Sequence, residues 1–179
     1  MIPLDTGGPT RTPGDFRRNT QGNPLVKHPT GTRDLVYDRP SKWFDDYTGI
    51  DPIYANRGTW VHKLCEHVDN GEAWRADLEF VAAGVALGIP VDTQEAIARA
   101  WLRFLDDHGL TVIHNEATVV NDTLKVAGTL DRVVEWDGRR VVLDIKTGSK
   151  VDKTSYAVQL ARYCGSLPYD TETDERGAW

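Results

Sequence analysis

Asp131, Asp144 and Lys146 are the residues of this 179-residue chain whose types and spacing could do chemistry. They lie in GTLDRVVEWDGRRVVLDIKTG, Gly128 to Gly148, where two β-rich runs, Thr129–Trp136 and Arg139–Lys146, flank Asp137-Gly138. Asp-Gly suits a two-residue type I′ hairpin turn, whose central residues both need positive φ. With Trp136 opposite Arg139, the register sets Asp131 opposite Asp144 at a non-hydrogen-bonded position, where side chains approach most closely. Like charges so placed repel, and a bound cation removes the conflict. Lys146 shares a face with Asp144, Val142 and Arg140, because strand residues two apart point the same way. The opposite face carries Leu130, Val134, Trp136, Val141, Leu143 and Ile145, with Arg132 the only charge well inside it. One face is expected to pack a core and the other to hold Asp, Asp and Lys. Hard oxygen ligands suit Mg²⁺, and a lysine beside a metal can stabilise the charge that develops when water attacks a phosphodiester. The residues therefore point to a metal-dependent nuclease site.

Three sequence patterns extend the constellation: Gly128-Thr129-Leu130-Asp131-Arg132, then Asp144-Ile145-Lys146-Thr147-Gly148, then Gln159-x-x-x-Tyr163. Together they closely resemble the PD-(D/E)xK nuclease superfamily, specifically its RecB-like exonuclease branch. With Gly58-Thr59-Trp60-Val61-His62 upstream as a fourth, the resemblance covers roughly Gly58 to Tyr163, and four motifs in order are far harder to match by chance than one. It implies an α/β, restriction-endonuclease-like core with a mixed β-sheet flanked by helices. It also implies that Asp131, Asp144 and the main-chain carbonyl of Ile145 hold Mg²⁺ or Mn²⁺, with His62 of Gly58-Thr59-Trp60-Val61-His62 as a further ligand. A histidine ligand favours Mn²⁺ of the two. By the same resemblance Gln159 and Tyr163 face the active site and position the DNA strand, with Thr147 and Lys150 as neighbouring substrate contacts. Some members of the branch hold an iron–sulfur cluster on four cysteines. Cys65 and Cys164 are too few to build one, so no cluster is expected.

The elements that must position these groups follow from periodicity. Val61, Leu64, Cys65 and Val68 predict a helix over Thr59–Asp69, with His62 at the edge of its buried stripe. Spacing alone leaves that histidine structural; the resemblance makes it a ligand. Ala73–Leu87 reads as a second helix through Trp74, Leu78, Val81 and Val85. A third starts as a capping-box-like Asp92-Thr93-Gln94-Glu95, with Ile97, Ala100, Trp101, Phe104 and Leu105 as its stripe. Their tryptophans are expected in the core rather than as base-stacking platforms.

After Gly109 the period changes to β in Leu110–Ile113, Ala117–Val120 and Leu124–Ala127, with Asn121-Asp122 as a turn. A two-residue turn there sets Glu116 opposite Ala127, four residues and about 13 Å from Asp131. Glu116 is thus either an outer metal ligand, reached through a bend or bulge, or an exposed strand residue. A last helix is expected over Thr154–Cys164, packing Ala157, Leu160, Ala161 and Cys164 inward.

Seven of the nine prolines precede Gly58. Residues 1–40 therefore read as an extended or loop-like arm, and 41–179 as the nuclease domain, with a short helix from Ser41 to Gly49. Basic residues Arg11, Arg17, Arg18, Lys27 and Arg33 in the arm either track nucleic acid or belong to a solvated tail. The domain is expected to be short of the full family core at its C-terminal end.

No apolar run approaches a membrane span and MIPLDTGGPT lacks the regions of a signal peptide, so a cytoplasmic location is expected, a host cytoplasm if the chain is phage-encoded. The net charge of −6 argues against tight non-specific DNA binding, although Arg139, Arg140, Lys146, Lys150 and Lys153 supply local positive charge. The expected activity is DNA exonuclease in recombination, repair or phage DNA processing, with a recombination or annealing protein as the expected partner beside DNA. The alternatives are an endonuclease using the same residues and a catalytically idle DNA- or partner-binding module.

Overall fold

The computed structural model describes residues 17–18, 24–27, 34–40, 51–121, 123–148 and 152–167. Three short strands, β1 (Arg17–Arg18), β2 (Pro24–Lys27) and β3 (Asp34–Val36), form an antiparallel sheet within the segment expected to be an arm. Tyr37 and Asp38 join this segment to the main sheet. Tyr37 is buried with Ala127, and Asp38 pairs in parallel with Val126, donating to the Lys125 carbonyl at 2.7 Å and accepting from Ala127 at 3.0 Å. The expected helix from Ser41 lies outside the described residues.

Helix α1 spans Pro52–Asp69, beginning seven residues before the expected start. Asp51 caps it by accepting from the Ile53 amide at 2.9 Å, and Pro52 supplies a preset φ at the first helical position. These two signals outweigh the cost of Gly58, about 1 kcal/mol inside a helix. Gly58 is consequently an interior residue, and a side chain there would press on Thr147, with its Cβ 3.3 Å from Oγ1.

The expected second helix is divided. A 3-10 turn over Trp74–Ala76 ends at Asp77, whose carboxylate accepts from Phe80 N at 2.9 Å and starts α2, Leu78–Ala86. Helix α3 covers Val91–Asp107, with Pro90 in the cap position and no side-chain cap. Gln94, expected in a capping box, is instead fully buried and donates to the Val81 and Ile89 carbonyls at 3.0 and 2.9 Å. Trp60, Leu64, Trp74, Ile89 and Ala98 form the core among these helices, and Trp60 stacks on Phe80 with ring centroids 4.8 Å apart. Gly84 makes the contact possible: a Cβ there would lie 2.5 Å from Gln94 Nε2 and 2.6 Å from Trp60 Cζ2. The expected stripes hold only in part, with Trp74, Val81 and Ile97 inward as expected. Leu78, Val85 and Phe104 are exposed, while Phe80 packs on the core.

The main sheet has the order β4 (Thr111–Asn121), β5 (Val126–Trp136), β6 (Arg139–Leu143), with both pairings antiparallel. The fold is α/β, as expected. Among the described residues, its sheet is mixed only through the parallel bridge at Asp38. Asp137 and Gly138 have φ of 50° and 73°, and Trp136 pairs with Arg139, so the turn and register read from Asp-Gly hold. Two expectations do not. Trp136 is 50% exposed rather than part of a core face. Strand β5 is buried on both sides, Leu130, Arg132 and Val134 on one and Asp131 and Val133 on the other. Beyond the site, Val133 and Val142 pack against Tyr163 and Cys164 of α4, which spans Lys153–Cys164 behind its Asp152 cap. Helix α4 is turned so that Ser155, Tyr163 and Cys164 face inward and Ala157 and Ala161 face solvent. Both cysteines are free and buried, and burial pushes the Cys65 thiol up to about 12 and that of Cys164 to about 11.

Candidate active site

Strand β4 corrects the largest error in the expected geometry. Asn121 pairs with Val126, so the connection to β5 has four residues instead of two. Asn121 stabilises it by accepting from the Leu124 amide at 2.8 Å, and Lys125 takes a left-handed φ of 52°. Asn115 pairs with Arg132 and Ala117 with Leu130, which sets Glu116 across from Asp131 rather than Ala127. A shift of four residues is even, so Glu116 keeps its face while moving along the strand to the site. Its φ of 47° is a left-handed conformation inside a strand, a strain of the kind found where function demands a particular side-chain direction.

His62 reaches the same point from α1. Its Nε2 donates to the Ile145 carbonyl at 2.9 Å, and its Nδ1 lies 3.3 Å from Asp131 Oδ1. Asp131 Oδ2 in turn accepts from the Ile145 amide at 2.6 Å, which closes a ring of three residues. Burial alone lowers the His62 pKa, but Asp131, Glu116 and the Ile145 oxygen together raise it above the usual histidine value. An imidazolium donating from both nitrogens satisfies this set of oxygens.

A divalent cation would satisfy them too. His62, Glu116 and Asp131 each offer a ligand atom, and these atoms all lie within 4.8 Å of one another. Carboxylate and carbonyl oxygens with one imidazole nitrogen form a donor set suited to Mg²⁺ or Mn²⁺, and the residues present fit such an ion.

Asp144 lies one residue past the last ladder pair, Arg132 with Leu143. Its carboxylate pairs with the Lys146 ammonium and accepts from Gln159 Nε2 at 3.1 Å. Burial and the charge of Asp131 push its pKa up, against the pull of Lys146. The two aspartates thus sense each other as expected, but Asp144 stands outside the three-residue ligand group. Lys146 also donates to Gln159 Oε1 at 3.2 Å and lies 4.9 Å from the centre of the Tyr156 ring.

Gln159 therefore belongs to the site, although it orients Lys146 and Asp144 instead of projecting alone. Tyr163, expected beside it, is in the core, where its hydroxyl donates to the Thr129 carbonyl at 2.7 Å. One helical turn separates the two, but the inward rotation of α4 carries the phenol under β5. Gly128 leaves room for it, since a Cβ there would lie 3.3 Å from the Tyr163 ring. Thr147 is exposed against Gly58, and Lys150 lies outside the described residues.

Sequence reasoning missed the support beneath the site. Arg132 is fully buried; it donates from Nε to Asp69 Oδ2 at 2.5 Å and from Nη1 to the Asp131 carbonyl at 2.7 Å. A charge on an otherwise apolar face signals a buried partner, but periodicity could not name Asp69.

A family model for the PD-(D/E)XK nuclease superfamily matches residues 47–167, and the chain belongs to that superfamily. No curated protein and no solved structure matches it. Membership carries the coarse activity with it: a nuclease dependent on divalent metal ions, with DNA as its substrate.

Proposed function

We propose that this nuclease is a DNA exonuclease of the RecB-like branch, using Mg²⁺ or Mn²⁺ in recombination, repair or phage DNA processing. The observation that supports it best is the convergence of His62 from α1 on Asp131 and the Ile145 carbonyl. A histidine ligand is the feature by which the site resembles that branch.

In this reading His62, Glu116, Asp131, Asp144 and the Ile145 oxygen hold the cation, and His62 gives up one proton as it turns a nitrogen to the ion. When bound, the ion polarises the scissile phosphate and makes a nearby water more acidic. Lys146, steadied by Asp144 and Gln159, aligns that water and offsets the negative charge growing on the phosphate oxygens. The water oxygen bonds to phosphorus as its proton leaves to solvent, the bridging P–O bond breaks, and the departing sugar oxygen takes a proton from solvent to leave as a hydroxyl. Thr147 and Lys150, one residue before and two after Gly148 in the sequence, are the substrate-contacting residues of this reading.

Digestion of end-labelled linear DNA beside a covalently closed circle, with Mn²⁺ or with EDTA, tests the reading. Metal-dependent loss of the linear substrate alone is expected. Cleavage of the circle would make the protein an endonuclease, because a circle offers no end. Metal-insensitive binding with loss of neither would make it an idle module on the same fold.

A further inference from the structure

We propose that Asp69 is a positioning residue for the metal cradle: it takes the closer pairing with the buried guanidinium of Arg132, so that the Arg132–Glu116 contact stays long and that carboxylate remains available to the cation. The inference rests on the metal-site reading above.

Three of the ligand residues, His62, Glu116 and Asp131, come from α1, β4 and β5, and Arg132 touches all three elements. Its Nη2 donates to the His62 carbonyl at 3.3 Å, and its Nη1 reaches both the Asp131 carbonyl at 2.7 Å and Glu116 Oε1 at 3.4 Å. A guanidinium stays charged at any pH a protein survives, so in a fully buried place it needs a carboxylate. Among the described residues two reach it. Asp69 is bonded at 2.5 Å with a side chain 1% exposed, whereas Glu116 stands at 3.4 Å and is 35% exposed. Trp101 fixes the nearer one, its indole donating to Asp69 Oδ1 at 2.6 Å while the Arg132 guanidinium lies 5.8 Å from the centre of its ring. With one oxygen of Asp69 held by Arg132 and the other by Trp101, the Arg132 charge is met chiefly from below and the Glu116 carboxylate is left available to the cation. Removal of the Asp69 charge leaves Glu116 as the carboxylate within reach, and the existing 3.4 Å contact is then expected to tighten and compete with metal for that carboxylate.

The test is calorimetric titration of the full chain with Mn²⁺, with thermal melts to verify folding. Asp69→Asn is expected to weaken binding about 10-fold, the scale typical of residues that orient metal ligands. Glu116→Gln also weakens it, and adding Asp69→Asn to Glu116→Gln costs nothing further, because the group Arg132 would capture is gone. Trp101→Phe, which loosens the grip on Asp69 and retains its charge, gives a smaller loss in the same direction, again only while Glu116 is present. It carries the same cycle if Asp69→Asn fails to fold. Fold-changes that simply multiply would mean that Asp69 acts independently of Glu116 and would overturn the proposal, as would unaltered affinity in folded Asp69→Asn. If the wild type binds no Mn²⁺, the metal-site reading and this inference fall together; wild-type binding with indifferent variants sinks the inference alone.

Discussion

The His62 imidazole and the main-chain oxygen of Ile145 lie 2.9 Å apart, although 83 positions separate them in the chain. The contact ties α1 to the segment after β6, and with Asp131 it gathers the oxygens a cation would take. His62→Ala is expected to weaken Mn²⁺ binding by at least about 10-fold and to remove metal-dependent cleavage at moderate Mn²⁺. Calorimetry and a cleavage assay across metal concentrations measure both. Undiminished affinity would place the ion elsewhere.

Asp144→Asn separates stability from activity. Burial and the charge of Asp131 raise the Asp144 pKa in the folded protein. For an acid, a raised folded pKa means that its charge opposes folding at neutral pH, and the opposition fades as pH falls through that pKa. The metal-free variant should therefore be at least as stable as wild type at pH 7, by up to about 1 kcal/mol, the size of a like-charge cross-strand effect. Below about pH 4, where an ordinary Asp is also protonated, the difference vanishes. Denaturant melts at the two pH values report it, and cleavage should be lost.

Lys146 and Gln159 should differ in degree. Lys146→Ala removes the group that steadies water and charge, an effect expected on the order of 10²–10⁴ in kcat. Gln159→Leu leaves the ammonium in place but unsteadied on one side, so its loss of kcat should be smaller, with KM little changed. A Gln159 variant that raised KM alone would mark it as a strand contact instead.

Gly84→Ala tests the helical layer apart from the chemistry. The new methyl group would meet Trp60 and Gln94 at 2.5–2.7 Å, and both are buried. A loss of roughly 1–3 kcal/mol is expected by denaturant melt, the range for overpacking a filled core. Mn²⁺ affinity of the folded variant should be unchanged.

Cys65 and Cys164 should resist thiol reagents in the native protein at pH 8. With thiols raised to about 12 and about 11, almost no thiolate is present, and unfolding should expose both to rapid labelling. Prompt reaction of either in the folded state would contradict its burial.

Local signals determined much of this protein. Asp137-Gly138 dictates the turn between β5 and β6, and that turn carries Asp131 and Asp144 to neighbouring positions because pairing in a tight hairpin is set by the turn itself. Residue types then named the chemistry, and the order of motifs named the superfamily. Tertiary structure decided what local signals leave open. Glu116 reaches Asp131 only because the connection after Asn121 has four residues, a choice made by the Asn121 bond to the Leu124 amide and the left-handed backbone of Lys125, which alternation does not encode. Tyr163 entered the core instead of the site because a helix can rotate about its axis without disturbing its period, and packing against Thr129 and Gly128 selected the angle. Arg132 was visible as a misplaced charge, but its partners Asp69 and Trp101 come from two other helices. A buried charge announces that it needs a counter-ion; only the folded chain determines which carboxylate arrives, because that depends on how α1, α3 and β5 pack together.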